Sequence, residues 1–377
     1  MITLNSFVAS LDNISDVNDH YAFIDRHAAA GDREALMEIF LELNKGGPHS
    51  RIPDWATGAV VERIIEALAL TNGHDNAVVA LELAGIAGTG VNRSSGQLRQ
   101  VAVISKIVAA HSPEVIDTLL RKLSDLETTA LMLHEAVVRG KLLPASPAGA
   151  EIQQRLAGAQ HPLALLPLTL LDVEQDVMLP QYGIGSSGTS IPFGPIREQQ
   201  AVNSGPLASA LEATETTYPE RSELISAAVM NWKDESNGKI EARTFRADLS
   251  NRSTLPAVLP TLGLKSAEST DEIHVRENAV VRDAFTVLFS AASSGGAYNS
   301  GKFAAYGRLL AWQSLAGLVG ASVGVSVHDI AKSAHTCQWC LFDSPNEWYY
   351  QVAWDIGVAC FNPAYREVAV LAATDTD

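Results

Sequence analysis

Residues 53–87, PDWATGAVVERIIEALALTNGHDNAVVALELAGIA, decide how this chain is read. Pro53 and Asp54 introduce a run in which Val60, Ile64 and Leu68, joined by Val61 and Ile65, recur at helical spacing and form a broad apolar stripe. After a short polar break containing Gly73, DNAVVALELAGIA repeats the pattern. The same alternation extends in both directions. Upstream, Asp32 stands before REALMEIFLEL as a natural N-cap, its carboxylate accepting from free first-turn amides, with Glu34 favoured by the helix dipole. That helix is expected to end near Lys45, before Gly46, Gly47 and Pro48. Downstream come SGQLRQVAVISKIVAAH, then PEVIDTLLRKLSDL with Pro113 in the first turn, then TTALMLHEAVVRG closed by Gly140.

Consecutive helices joined by short breaks predict antiparallel pairs stacked side by side, in the rhythm of a HEAT-like or armadillo-like α-solenoid. The sequence has no fixed-period repeat, so an irregular helical bundle is the competing arrangement. The fold class expected is mainly α with a smaller α+β part. Residues 1–175 are expected to form the solenoid-like helical array, 176–200 a Gly/Pro/Ser-rich loop or linker, and 201–377 a mostly helical domain with a small sheet. Within the last, residues 201–232 and 276–292 read as helical, while KIEARTFRADL and YREVAVLAA read as strands.

Composition bounds the function. The chain has 377 residues, 27 Lys plus Arg against 43 Asp plus Glu, a formal charge of −16, and 47% hydrophobic residues. This is too apolar for disorder over most of its length and too acidic for a general nucleic-acid or anionic-membrane binder. The charge is uneven: eight acids between Asp12 and Glu42 face only Arg26 and Arg33. The first residues, MITLNSFVASLDNISD, lack the basic start and continuous apolar core of a signal peptide, and three cysteines without a disulfide framework point to a cytoplasmic setting. Leu309–Val327 carries no formal charge, but its serines, Gln313 and glycines favour a buried helix and turn over a membrane span.

Several segments carry residue types suited to chemistry. Gly183, Gly185 and Gly188 spell GxGxxG, yet Pro180 interrupts the lead-in and TSIPFGP cannot open a helix, so a loop is expected and no cofactor. The loop of Ser293, Ser294, Gly295, Gly296, Asn299, Ser300 and Gly301, with Lys302 and Arg308 following, offers amides and charge to an anion, against the simpler reading of a tight helix connection. His335, Cys337 and Cys340, with His328 and Cys360 nearby, form an incomplete zinc pattern, so no metal site is expected. In NEWYYQVAWDIGVACF, helical spacing places Trp348, Val352 and Ile356 on one stripe. Its aromatic residues, together with Trp312 and Trp339, suit either core or a ligand groove oriented by Glu347, Gln351 or Asp355. Asp375 and Asp377 at the end of the last strand are expected to be solvated rather than to hold a cation.

The blocks NGKIEARTFRADL, SSGGAYNSG, AYGRLLAW, WYYQVAWDIG and AVLAATDTD, over residues 237–377, resemble an uncharacterised bacterial family. The resemblance implies a bacterial cytoplasmic protein whose distinctive part is the C-terminal half, and carries no activity, ligand or catalytic residue. The repeat-like helices and the absence of a catalytic motif give the expected function, an interaction or regulatory protein recognising a protein partner or a small ligand, one version being an inhibitor or immunity-type protein that captures a basic partner. The ligand- or partner-binding candidates are Ser294, Asn299, Arg308, Trp339, Glu347, Trp348, Gln351 and Asp355. The alternative is an enzyme of unrecognised class with its site in the C-terminal half, which requires Ser294, Asn299, Arg308, Glu347, Trp348 and Asp355 to converge on one pocket.

Overall fold

The computed structural model describes residues 4–44, 52–87, 93–144, 146–193, 201–202, 213–249, 254–268, 273–276, 278–299, 301–322 and 324–376. The expected helix stop at Gly46, Gly47 and Pro48 lies outside them, as do Ser300 and Asp377. The chain forms two compact units. The first comprises Met1–Ala159 with Pro180–Gly188, the second Gln160–Leu179 with Thr189–Asp377. Residues 160–175, grouped by sequence with the helical array, thus belong to the second unit, and part of the expected linker belongs to the first.

The first unit contains α1 (Leu4–Phe7), α2 (Asn18–Ala29), α3 (Arg33–Asn44), α4 (Asp54–Leu70), α5 (His74–Ala87), α6 (Arg93–Ala110), α7 (Pro113–Lys122), α8 (Leu126–Val138) and α9 (Pro147–Gly158). Three of the sequence signals have their counterparts. Asp32 Oδ1 accepts from Ala35 N at 3.4 Å, Pro113 opens α7, and Gly140 takes φ 63° after α8. The packing has a regular form. Helices α2, α4, α6 and α8 touch in succession to make one layer, and α3, α5, α7 and α9 make the other. This is the two-layer stack of helical pairs that the spacing predicts. Helix α8 lies deepest, with every residue from Thr128 to Val138 buried.

The GxGxxG segment is ordered. Strands β1 (Gln181–Gly183) and β2 (Ser186–Gly188) pair as an antiparallel hairpin turning at Ile184 and Gly185. Gly185 has φ 74°, a left-handed conformation that glycine adopts without steric cost. The glycines thus shape a tight turn rather than a phosphate cradle.

The second unit is built on an antiparallel sheet of β3 (Ala201–Val202), β4 (Ala213–Glu215), β5 (Lys239–Ala247), β6 (Ile273–Arg276), β7 (Gln338–Asp343), β8 (Trp354–Asn362) and β9 (Glu367–Asp375). Its order is β3-β6-β7-β8-β9-β5-β4. The helices are α10 (Pro219–Ser226), α11 (Met230–Glu235), α12 (Thr254–Val258), α13 (Val281–Ser294), α14 (Phe303–Val319) and α15 (Val327–Thr336). Among the described residues no helix is long and apolar enough to cross a membrane.

The register divides the sheet into two buried faces. On one, Phe245, Val368, Val370, Ala359, Phe361 and Phe342 join a core with Leu255, Leu259, Leu262 and Tyr349. On the other, Glu367 meets Arg221 of α10 at 2.8 Å, and Asn362 Nδ2 donates to the Val319 carbonyl of α14 at 2.6 Å. This corrects the helical reading of Trp348–Ile356. Residues 348–353 are irregular and β8 begins at Trp354, because a strand covered on both faces is apolar at successive positions and loses the period-two signal.

Helix α14 requires small residues where its neighbours approach. A Cβ on Gly317 would stand 2.6 Å from the Ile225 backbone nitrogen of α10. Gly317→Ala is expected to destabilise the chain, since forced overpacking costs about 1–3 kcal/mol and exceeds the roughly 1 kcal/mol that alanine gains in helix propensity. The midpoint of urea unfolding reads the sign.

Candidate functional site

The candidate residues of the C-terminal part fall into separate environments. Arg308 is the most enclosed, with 1% of its side chain exposed, as for its partner Glu174. Its Nε donates to Glu174 Oε1 at 2.5 Å and its Nη2 to Oε2 at 3.0 Å. The remaining donors reach the Pro167 and Thr169 carbonyls at 2.9 and 3.0 Å. Glu174 also accepts from Trp312 Nε1 at 3.0 Å and from the Leu171 amide at 2.7 Å. This closed network fastens the segment before β1 to α14 and leaves the guanidinium no role toward an anion.

The loop between α13 and α14 is organised from within. Asn299 Oδ1 accepts from the amides of Gly296 and Gly301 at 3.2 and 3.1 Å and from Asn231 Nδ2 at 2.9 Å. Asn299 Nδ2 returns a bond to the Asn231 carbonyl at 3.2 Å. Asp375, fully buried, accepts from the Ala297 amide at 2.7 Å and from Ser236 Oγ at 3.0 Å. Lys302 pairs with Glu235 at 2.6 Å. The amides that an anion would need at Gly296, Ala297 and Gly301 are therefore engaged, and the expectation of a solvated Asp375 is overturned. Ser294 ends α13 with its hydroxyl enclosed.

A second polar group lies at the same end of the sheet, where Lys239, Thr374 and Asp355 stand side by side in register. Asp355 Oδ1 accepts from Thr374 Oγ1 at 2.5 Å, and Thr374 Oγ1 accepts from the Tyr350 amide at 3.0 Å. Lys239 Nζ sits 4.1 Å from the Tyr350 ring centroid. Gln351, at φ 60°, donates to the Ser344 carbonyl at 2.7 Å. Burial raises the Asp355 pKa above the usual carboxylate range, with Asp343 adding to the effect and the Thr374 hydroxyl opposing it. Burial likewise pushes the Tyr349 hydroxyl well up, reinforced by the Asp343, Asp355 and Glu241 carboxylates. Glu241 in turn accepts from the Ser266 amide at 2.9 Å and hydroxyl at 2.8 Å, and His274 shares a 2.7 Å hydrogen bond with Asp343. Trp348 packs edge-on to Tyr349 with ring centroids 4.8 Å apart, while Glu347 is exposed.

Trp339 is buried, its Nε1 donating to the Ala334 carbonyl at 2.9 Å. With Val280, His335, Cys337 and Gln338 it borders a cavity of about 160 Å³. His335 Nε2 lies 2.8 Å from Asp172, and Cys337 donates to the Ser333 carbonyl at 3.3 Å. Burial pushes the Cys360 thiol well up, with Cys337 as a hydrogen-bonded neighbour. Among the described residues, no group of three or more His, Cys, Asp or Glu side chains is placed to hold a metal ion. Sequence reasoning missed Glu174, Asn231, Ser236, Glu241 and Thr374. Each is distant in sequence from the group it completes, so no local pattern announces it.

The architecture defines a class: a two-layer stack of helical pairs coupled in one chain to an antiparallel sheet covered on both faces. The chain belongs to a family of unknown function (DUF6183), which matches residues 18–377. The match takes in the helical stack as well as the C-terminal block to which the resemblance was confined. No curated protein and no solved structure matches the chain.

Two measurements follow from the buried charges. Glu174→Gln or Arg308→Met leaves one buried partner uncompensated and is expected to cost about 3–5 kcal/mol in denaturant unfolding, with the double substitution recovering part of the loss. Asp355 holds its proton more tightly in the folded chain than in the unfolded one, so it lowers stability as pH rises from the ordinary aspartate range through its elevated folded value. Asp355→Asn is expected to flatten that decline, read from thermal unfolding across acidic to neutral pH.

Proposed function

We propose that this chain is a bacterial, cytoplasmic interaction or regulatory protein whose helical stack carries a protein-partner surface. The observation that supports this reading is the stack itself, because helices touching in two successive layers build an extended surface of side chains from many helices. The C-terminal unit serves as a second recognition element for a protein or small ligand. Among the acids between Asp12 and Glu42, Asp12, Asp16, Asp19, Glu34 and Glu38 are exposed, which suits electrostatic capture of a basic partner in the manner of an inhibitor or immunity-type protein. The three cysteines are free thiols, in keeping with a reducing compartment.

The enzyme alternative draws on one pocket receiving Ser294, Asn299, Arg308, Glu347, Trp348 and Asp355. Their separation into a closed ion-pair network, a self-bonded loop and an exposed or packed aromatic segment favours the interaction reading.

Affinity capture from a native lysate with the full chain as bait tests the proposal. A stoichiometric basic partner is the expected result, and recovery of none counts against the reading. With that partner in hand, the combined substitutions Asp12→Asn, Asp19→Asn, Glu34→Gln and Glu38→Gln are expected to slow association and weaken its salt dependence, with little change in dissociation, as read by stopped-flow or surface-based kinetics.

A further inference from the structure

The layer of α2, α4, α6 and α8 carries a continuous row of polar side chains from helix to helix. Asp25 of α2 receives both Nε and Nη2 of Arg63 on α4, at 2.9 and 2.6 Å. Glu66, one turn on, receives Lys106 of α6 at 2.5 Å. Ser105 of α6 donates to Glu135 of α8 at 3.3 Å, and Arg139 at the end of α8 reaches both Glu135 Oε2 at 3.3 Å and Ser105 Oγ at 3.2 Å. Neighbouring packed helices stand about 8–10 Å apart, so the row spans roughly 25–30 Å, the length of about eight extended residues.

The hairpin of β1 and β2 is seated on this row, and it is held there by recognition chemistry rather than by apolar burial. The Tyr182 hydroxyl shares a 3.0 Å hydrogen bond with Ser105 Oγ, and its ring lies under the Arg139 guanidinium at 5.4 Å from the centroid. Arg139 Nη1 donates to the Pro180 carbonyl at 3.2 Å. Three residues past the tyrosine, the Gly185 amide donates to Glu66 Oε2 at 2.8 Å. A Cβ at that glycine would meet Arg63 Nη1 at 2.2 Å, so the seat admits glycine there and excludes larger residues unless Arg63 moves. The rest of the hairpin is open to solvent: Gln181 and residues 184–188 are exposed. An element held by a few polar contacts with little apolar area opens at low free-energy cost.

We propose that the α2/α4/α6/α8 face is a hairpin-recognition groove, that the β1/β2 hairpin is its resident occupant, and that the occupant is exchanged for a partner protein's tight-turn segment bearing tyrosine three residues before glycine. The inference rests on the interaction reading and names the chemistry of the partner. Specificity arises at two points. The tyrosine hydroxyl meets a buried Ser-Glu-Arg set whose groups lose a partner when the hydroxyl is missing, which penalises phenylalanine. The glycine admits close approach of the backbone to Arg63 and Glu66.

The probe is a fluorescein-labelled peptide of residues 179–190, LPQYGIGSSGTS, with anisotropy measured against the full-length chain. Tyr182→Ala and, separately, Gly185→Val are expected to release the hairpin, seen as faster amide exchange over residues 181–188, and to bind the peptide at least tenfold more tightly than the unsubstituted chain. A peptide with phenylalanine in place of tyrosine is expected to bind at least tenfold more weakly. Ser105→Ala in the Tyr182→Ala chain is expected to erase the difference between the two peptides. Hairpin release without gain of peptide binding overturns the proposal, as does equal binding of both peptides. Concentration-dependent dimerisation of the substituted chains with no peptide binding assigns the groove to a second copy and also overturns it. Failure here, with a partner still captured equally by the unsubstituted and Tyr182→Ala chains, leaves the interaction reading standing. Peptide binding without any captured partner removes the broader reading and keeps the groove.

Discussion

Strands β8 and β9 are buried along almost their whole length on both faces, and much of the second unit follows from that condition. A backbone dry on two sides keeps no unpaired polar group without cost, so the polar side chains that remain on these strands sit at their ends, where each finds at least one partner. At one end Asp355 is met by Thr374, while Asp375 gathers an amide from the loop after α13 and a hydroxyl from Ser236. At the other, Asn362 takes the last carbonyl of α14 and Glu367 takes Arg221. The connecting segments are thus placed by the demands of the strand ends. Within the sheet itself a small residue is required at Gly357, where a Cβ would stand 2.3 Å from the Phe342 carbonyl oxygen of β7.

The same economy explains why residues that suggest chemistry in the sequence are occupied in the fold. A buried guanidinium and carboxylate cost several kcal/mol of desolvation each, and such a pair persists where additional hydrogen bonds complete both partners. Arg308 and Glu174 meet that condition through two carbonyls, an indole and an amide. Their contribution is better described as fixing where one segment docks than as adding net stability. Asn299 plays the corresponding part for a loop, its side-chain amide substituting for the backbone partners that a tight turn cannot supply.

The legible and illegible parts of the sequence differ in physical kind. Helices α3 to α8 are readable because their ends carry local chemistry, Asp32, Pro53, Pro113 and Gly140, and in α3, α4, α5 and α7 because exposed positions interrupt the buried ones and preserve the 3.6-residue period. Strands β5 and β9 are readable for related reasons, β5 from its alternation and β9 from its β-branched and small residues. The helical reading of Trp348–Ile356 failed where that contrast vanishes, since a strand buried on both faces and a buried helix are alike in being apolar at every position. Candidate residues were found by type, and the aromatic and polar cluster near Asp355 does occupy one end of the sheet. Their partners were not found, because Glu174 lies 134 residues from Arg308 and Asp375 lies 78 from Ala297. Pairings across such distances are fixed by topology, which spacing along the chain does not encode.

The seating of the hairpin also determines how the chain can be assembled. Residues 160–179 belong to the second unit although they precede Pro180–Gly188, which belong to the first. The chain therefore crosses between units at three places, after residues 159, 179 and 188. Neither unit is a continuous stretch, and no single cut separates them into self-contained pieces. During synthesis the helical stack emerges whole before its hairpin does, so the row from Asp25 to Arg139 is exposed until the segment bearing Glu174 has been made. That segment then waits for Arg308, more than a hundred residues later. The order of emergence places completion of the first unit after the opening segment of the second has been made.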